Sequence, residues 1–143
     1  MANVRVLFID DEEEFSTIVA ERLRSRGITV DTAHNGPDGI AKVKQHSYDA
    51  IVLDLAMPGM DGMETMRQML EHDSRLQIII LTGQGSVAAG VDAIKHGATD
   101  FLEKPADIDT LVGKLTEAQQ KRVSMFEQDI SQKMSDIMRK KGW

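Results

Sequence analysis

Asp10, Asp11, Asp54, Thr82 and Lys104 are far apart in the chain, yet each stands at the end of a short apolar run or just beyond one. VRVLFI leads into Asp10-Asp11, AIVL into Asp54, LQIIIL into Thr82 and DFLE into Lys104. If those runs are strands of one parallel sheet, three carboxylates, a hydroxyl and an ammonium gather at one edge of it. Three converging acids repel one another and call for a divalent cation, and an all-oxygen donor set suits Mg²⁺. Thr82 and Lys104 are then the groups that would grip a phosphoryl oxygen. Asp54 carries a further implication. An unpaired carboxylate inside an apolar strand is strongly disfavoured, and the turn-forming MPGMDG follows almost at once. Asp54 is therefore expected at the rim of the sheet rather than in its interior.

The elements that must position these groups can be read in order. Val4 to Ile9 reads as a strand, after which Phe15, Ile18, Val19 and Leu23 recur at helical spacing up to Gly27. Ile28 to His34 alternates apolar and polar residues, a second strand. Asn35-Gly36-Pro37 is a turn, with Pro37 near the first position of a helix reaching about His46. Ala50 to Asp54 is a third strand and Gly62 to about His72 a third helix. Leu76 to Thr82 has the apolar character of a central strand covered on both faces. Val87, Val91 and Ile94 mark a fourth helix closed by Gly97, Thr99 to Leu102 a fifth strand, and Asp107 caps a fifth helix carrying Ile108, Leu111, Val112 and Leu115. Five strand–helix units in strict alternation give an α/β fold with a parallel sheet and right-handed crossovers. Ligands of such folds bind beyond the carboxyl ends of the strands, at a switch point in strand order.

The chain has 143 residues, enough for one domain with its own core. It has no cysteine, which excludes disulfides and thiolate metal sites. The opening MANVRVLFIDDEEE fits neither a signal peptide nor a membrane span, and the chain reads as soluble and cytoplasmic. A net charge of -6 argues against broad nucleic-acid binding.

FIDDEEE, VLDLAMPGMDG, IIILTG and DFLEKP, in that order and each at a strand end, resemble the motifs of a response-regulator receiver domain over roughly residues 3 to 120. The resemblance implies a flavodoxin-like doubly wound (βα)5 sheet of order 2-1-3-4-5 and a phosphorylation-controlled switch of a two-component system. On it, Asp54 is the phosphoacceptor, charged by a phosphohistidine on a sensor histidine kinase or phosphotransfer protein. Asp11 ligates Mg²⁺ directly, Asp10 mainly through water, and Asp54 and the backbone carbonyl of Ala56 complete the set. Lys104 pairs with the acids at rest and with the phosphate after transfer. Thr82 and Phe101 form the switch acting on the face of the fourth helix, fifth strand and fifth helix, and Phe101 lacks the hydroxyl of a tyrosine. Pro105 follows a cis bond, and Ala56 and Gln84 tune self-dephosphorylation. The only chemistry implied is the chain's own phosphorylation and dephosphorylation.

Other readings weigh less. A Mg²⁺-dependent aspartyl-phosphate phosphohydrolase would share the nucleophile and metal, but it needs an acid two residues after the nucleophile, where Ala56 stands. A flavodoxin-like cofactor module would need a hydroxyl- and glycine-rich loop where DDEEE stands. Glu12, Glu13 and Glu14 read as a solvated helix start. The methionines at 57, 60, 63, 66 and 69 read as core, with Met63, Met66 and Leu70 on one helical face. The four histidines lack ligand spacing. Residues 1–120 form the expected domain and 121–143 a helical extension. Its Val123, Ile130 and Ile137 are heptad-spaced, and Phe126 and Met134 also recur at helical spacing. The extension reads as a dimerising or signalling helix, against the plainer reading of a tail packed on its own domain. No membrane or direct nucleic-acid contact is expected, and no output domain is legible.

Overall fold

The computed structural model describes residues 3–55, 61–83 and 86–141. Their elements are β1 (Arg5–Ile9), α1 (Glu13–Ser25), β2 (Thr29–Ala33), α2 (Gly36–Gln45), β3 (Ala50–Asp54), α3 (Gly62–His72), β4 (Ile78–Thr82), α4 (Val87–Lys95), β5 (Asp100–Glu103) and α5 (Ile108–Lys140). The strands pair in parallel in the order β2-β1-β3-β4-β5. The order that the family resemblance implies is the one observed. The chain reverses direction across the sheet between β1 and β3, and this opens a crevice beyond their carboxyl ends.

The apolar runs are explained by what covers them. Successive strand residues point to opposite faces, so Leu7 and Ile9 join one core with Ile40, Val43, Met66, Met69 and Ala93 of α2, α3 and α4. Val6 and Phe8 join a second core with Ala20 and Leu23 of α1 and Leu111, Leu115 and Ala118 of α5. With helices on both faces, a central strand has no polar side. Asn35, Asp61 and Asp107 cap α2, α3 and α5 through side-chain oxygens that accept from the backbone amides of Asp38, Glu64 and Thr110. Gly27 and Gly97 end α1 and α4 at φ +83° and +115°, the left-handed stop that favours glycine. On α3 the fully buried methionines are Met66 and Met69, with Met63 and Leu70 only partly covered. The core reading of these methionines stands with the face shifted; Met57 and Met60 lie outside the described residues.

α5 is a single helix of 33 residues with no hinge near residue 120. Its middle turns lie on the domain at the amino-terminal edge of the sheet. The Phe126 ring lies between two guanidinium groups, 4.0 Å from Arg75 and 5.0 Å from Arg122. Arg75 pairs with Asp129 at 3.0 Å, and Arg122 donates to Ser47 at 2.7 Å and faces Asp49 at 3.6 Å. Past Asp129 every described residue of the helix is exposed, including Ile130, Met134, Ile137 and Met138. The extension is thus docked in its first half and free of the domain in its second.

Candidate functional site

Each group expected at the edge stands where a strand runs out. Asp10 and Asp11 follow β1, Asp54 ends β3, Thr82 ends β4, and Lys104 follows β5. One carboxylate oxygen from each of Asp10, Asp11 and Asp54 lies within 4.8 Å of the others. Lys104 reaches into this group from the far side of β4, its Nζ 2.9 Å from Asp10 and 3.5 Å from Asp54. Its backbone amide is tied to the Thr82 carbonyl at 2.8 Å, which fixes where the side chain starts. The Lys104–Pro105 peptide is cis.

Asp54 ends β3 at the rim of the sheet, as expected, but the rim is closed to solvent there: Asp54 is 3% accessible, and Asp10 is fully buried. Pairing with the Lys104 ammonium offsets part of the desolvation cost. α3 starts close against the end of β3. A β-carbon at Gly62 would lie 2.7 Å from the Asp54 carbonyl oxygen, so glycine there lets α3 start directly against β3.

Electrostatics leave the cluster short of positive charge. Burial pushes the Asp10 carboxyl above its ordinary range, and the Asp54 charge adds to this; the hydrogen bonds from Lys104 and the Glu12 amide offset it only in part. Burial alone would lower the Lys104 ammonium, but Asp10, Asp54 and Glu12 outweigh it and hold it above the usual value. Lys104 is therefore charged at neutral pH and shared among several acids.

Three neighbours were not singled out by the sequence. Glu12, read as a solvated helix start, is mostly exposed but places Oε1 3.5 Å from Lys104 Nζ, and its backbone amide donates to Asp10 Oδ1 at 2.9 Å. Phe15, read only as part of an apolar face, sets its ring centroid 4.7 Å from the same ammonium. His34 places Nδ1 3.2 Å from the Asp10 carbonyl oxygen, a backbone contact consistent with its lack of ligand spacing. Adjacency to Asp11 was the available signal for Glu12; for Phe15 helical periodicity hid the second role.

Thr82 is buried and its hydroxyl donates to the Leu102 carbonyl at 3.4 Å, towards β5. Phe101 is partly buried on β5 and lies directly on Gly90 of α4, where a β-carbon would collide with the ring. α4 presents Val87, Val91 and Ile94 to solvent. Ala56 and Gln84 lie outside the described residues.

Comparison with known proteins gives the family and the fold. The model of the response regulator receiver domain matches residues 6–116. The transcriptional regulatory protein TcrA of Mycobacterium tuberculosis is 34% identical over 115 residues, 80% of this chain and 46% of that protein. The transcriptional regulatory protein ZraR of Klebsiella oxytoca is 36% identical over 115 residues, 80% of this chain and 26% of that protein. The chain thus spans about half or less of these relatives' length. Among solved structures, a response regulator receiver domain protein from Clostridium thermocellum superposes with a TM-score of 0.81 at 27% identity, covering 85% of this chain and 98% of that one. The receiver domain of a Francisella response regulator gives 0.78 at 26% identity, covering 83% and 98%. Fold, edge chemistry and sequence agree: the chain belongs to the response regulator receiver domains, the phosphoryl-accepting signalling switches of two-component systems.

Proposed function

We propose that Asp54 accepts a phosphoryl group from a phosphohistidine on a sensor histidine kinase or phosphotransfer protein, and that the resulting charge is read out through α4, β5 and α5. The observation that carries this reading is the convergence of Asp10, Asp11, Asp54 and Lys104 at the carboxyl edge of the sheet. The three carboxylates fit a hard divalent cation, and the surplus of acid over base favours one. Asp10, Asp11 and Asp54 would hold Mg²⁺ together with the Ala56 backbone carbonyl. The bound ion would offset charge on the transferred group.

The chain's own groups do the rest. An Asp54 oxygen attacks phosphorus in line with the departing imidazole nitrogen; the new O–P bond forms as the N–P bond breaks, and the imidazole leaves with the bonding pair. Carboxylates are competent nucleophiles for this transfer, which depends chiefly on positioning and charge. Lys104 shifts from Asp10 towards the new phosphoryl oxygens. Thr82 turns its hydroxyl from Leu102 to the phosphate. Phe101 follows on β5, and its contact with Gly90 links that motion to α4, whose exposed Val87, Val91 and Ile94 offer an apolar output surface. Ala56 and Gln84 would flank the attacking water and set the lifetime of the phosphorylated state. Family membership weighs against the phosphohydrolase alternative.

On this reading residues 1–120 act as the receiver. Residues 121–143 act as a signalling or dimerising extension, with a second copy as partner for the Val123, Ile130 and Ile137 stripe and the downstream effector open. None of the described helices is long and apolar enough to cross a membrane, and we place the chain in the cytoplasm with no direct nucleic-acid contact of its own. The test is incubation with acetyl phosphate and Mg²⁺ followed by intact and peptide mass. One phosphoryl group on the Asp54 peptide, absent in Asp54→Asn, is expected. Full labelling of Asp54→Asn would overturn the assignment.

A further inference from the structure

We propose that Phe15 is a positioning residue for Lys104: its ring face holds the ammonium over the acid cluster and lets it exchange partners there. The proposal rests on the reading of Asp54 and Lys104 given above. Lys104 Nζ has acids on one side, Asp10 at 2.9 Å and Asp54 and Glu12 at 3.5 Å. The Phe15 ring also faces it, with its centroid 4.7 Å away, inside the range of a cation–π contact.

The ring is itself held. Phe15 lies in the first turn of α1, packs on the second core, and its centroid is 6.1 Å from that of Phe8 on β1. It is therefore a fixed surface, set by the strand that leads into Asp10. The three acids pull the ammonium in different directions, and Glu12, the most exposed of them, draws it away from the buried pair. A ring face attracts the cation without a directional hydrogen bond. It can therefore retain Lys104 near the cluster while the ammonium leaves Asp10 for a phosphoryl oxygen. An aliphatic side chain of similar bulk would fill the same space but lose this attraction.

A packing role and a positioning role make different predictions. Phosphorylation by acetyl phosphate with Mg²⁺ is followed by intact mass in wild type, Phe15→Leu and Phe15→Tyr, each also made with Lys104→Met. The proton shifts of the Lys104 ε-methylene report ring-current contact directly. The expected result is an upfield ε-methylene shift in wild type and Phe15→Tyr that is lost in Phe15→Leu. The phosphorylation rate should fall roughly 2- to 30-fold in Phe15→Leu, be retained in Phe15→Tyr, and become insensitive to residue 15 once Lys104 is replaced. An unchanged rate in Phe15→Leu, an equal loss in Phe15→Tyr, or the same loss without Lys104 would overturn the proposal. A wild-type chain that takes up no phosphate would overturn the reading beneath it, whatever the shifts show.

Discussion

The two edges of one sheet handle charge in opposite ways. At the amino-terminal edge the charges are matched: Arg122 meets Asp49 and Ser47, Arg75 meets Asp129, and the Phe126 ring fills the space between the guanidinium groups. Nearby, Asp31 receives both the Tyr48 hydroxyl at 2.7 Å and Arg5 at 3.4 Å. At the carboxyl edge Asp10, Asp11 and Asp54 crowd together with Glu12 beside them, and the Lys104 ammonium is shared by Asp10, Asp54 and Glu12. The first edge stabilises the fold and fixes the direction of α5. The second gathers acids in excess over their shared ammonium, an arrangement that could hold a metal ion.

Removing the shared cation should have the largest effect. Lys104→Met leaves Asp10 and Asp54 buried beside each other, and breaking one partner of a buried pair is costly. We expect a loss of about 3 kcal/mol at neutral pH without Mg²⁺, measured by urea unfolding. A loss below about 1 kcal/mol would mean the acids are relieved by other means. At the matched edge Arg122→Ala should cost about 2 kcal/mol, and amide exchange should accelerate in residues 122–141 but not in β1 or β3. Unchanged exchange in the helix would show that the Phe126 contacts do not anchor it.

Tyr48→Phe should cost about 1 kcal/mol at pH 7, with a defined pH dependence. The Tyr48 hydroxyl, followed by Arg5, holds the Asp31 carboxyl below its ordinary value. A lowered folded-state pKa contributes stability above the unfolded value and loses it as pH falls through the folded one. The gap between wild type and Tyr48→Phe should therefore narrow below about pH 4; a gap that widens there would reverse the sign argued here. The smallest effect is expected at the free end of α5. Ile130→Ser with Ile137→Ser should change monomer stability by no more than about 0.5 kcal/mol. The same pair should abolish any dimer seen by sedimentation, and a dimer that survived would place the contact elsewhere.

The fold class was legible because alternation is a chain-wide signal: apolar runs punctuated by Gly27, Gly36 and Gly97 mark strands and helices in turn, whereas the order of the strands in the sheet came from the family resemblance alone. The residues at the edge were legible because each strand announces its end. The burial of Asp54 was not, and neither was its pairing with Lys104, which follows β5, fifty residues further along the chain. The α5 extension was read as one apolar stripe, but Phe126 turns to Arg75 and Arg122 whereas Val123 and Ile130 face water. Arg75 and Asp49 lie in loops far from α5 in the sequence, so no local pattern marks them as its partners. Phe15 shows the converse limit, because an apolar residue that packs on a core can also serve a charge.

The contrast between the edges is tested most directly by the melting temperature with and without Mg²⁺ in wild type, Arg122→Ala and Asp11→Ala. If the carboxyl edge is the unbalanced one, Mg²⁺ raises the melting temperature of wild type and Arg122→Ala by the same amount and leaves Asp11→Ala nearly unmoved. A rise in Asp11→Ala equal to that of wild type would place the ion elsewhere and contradict the account.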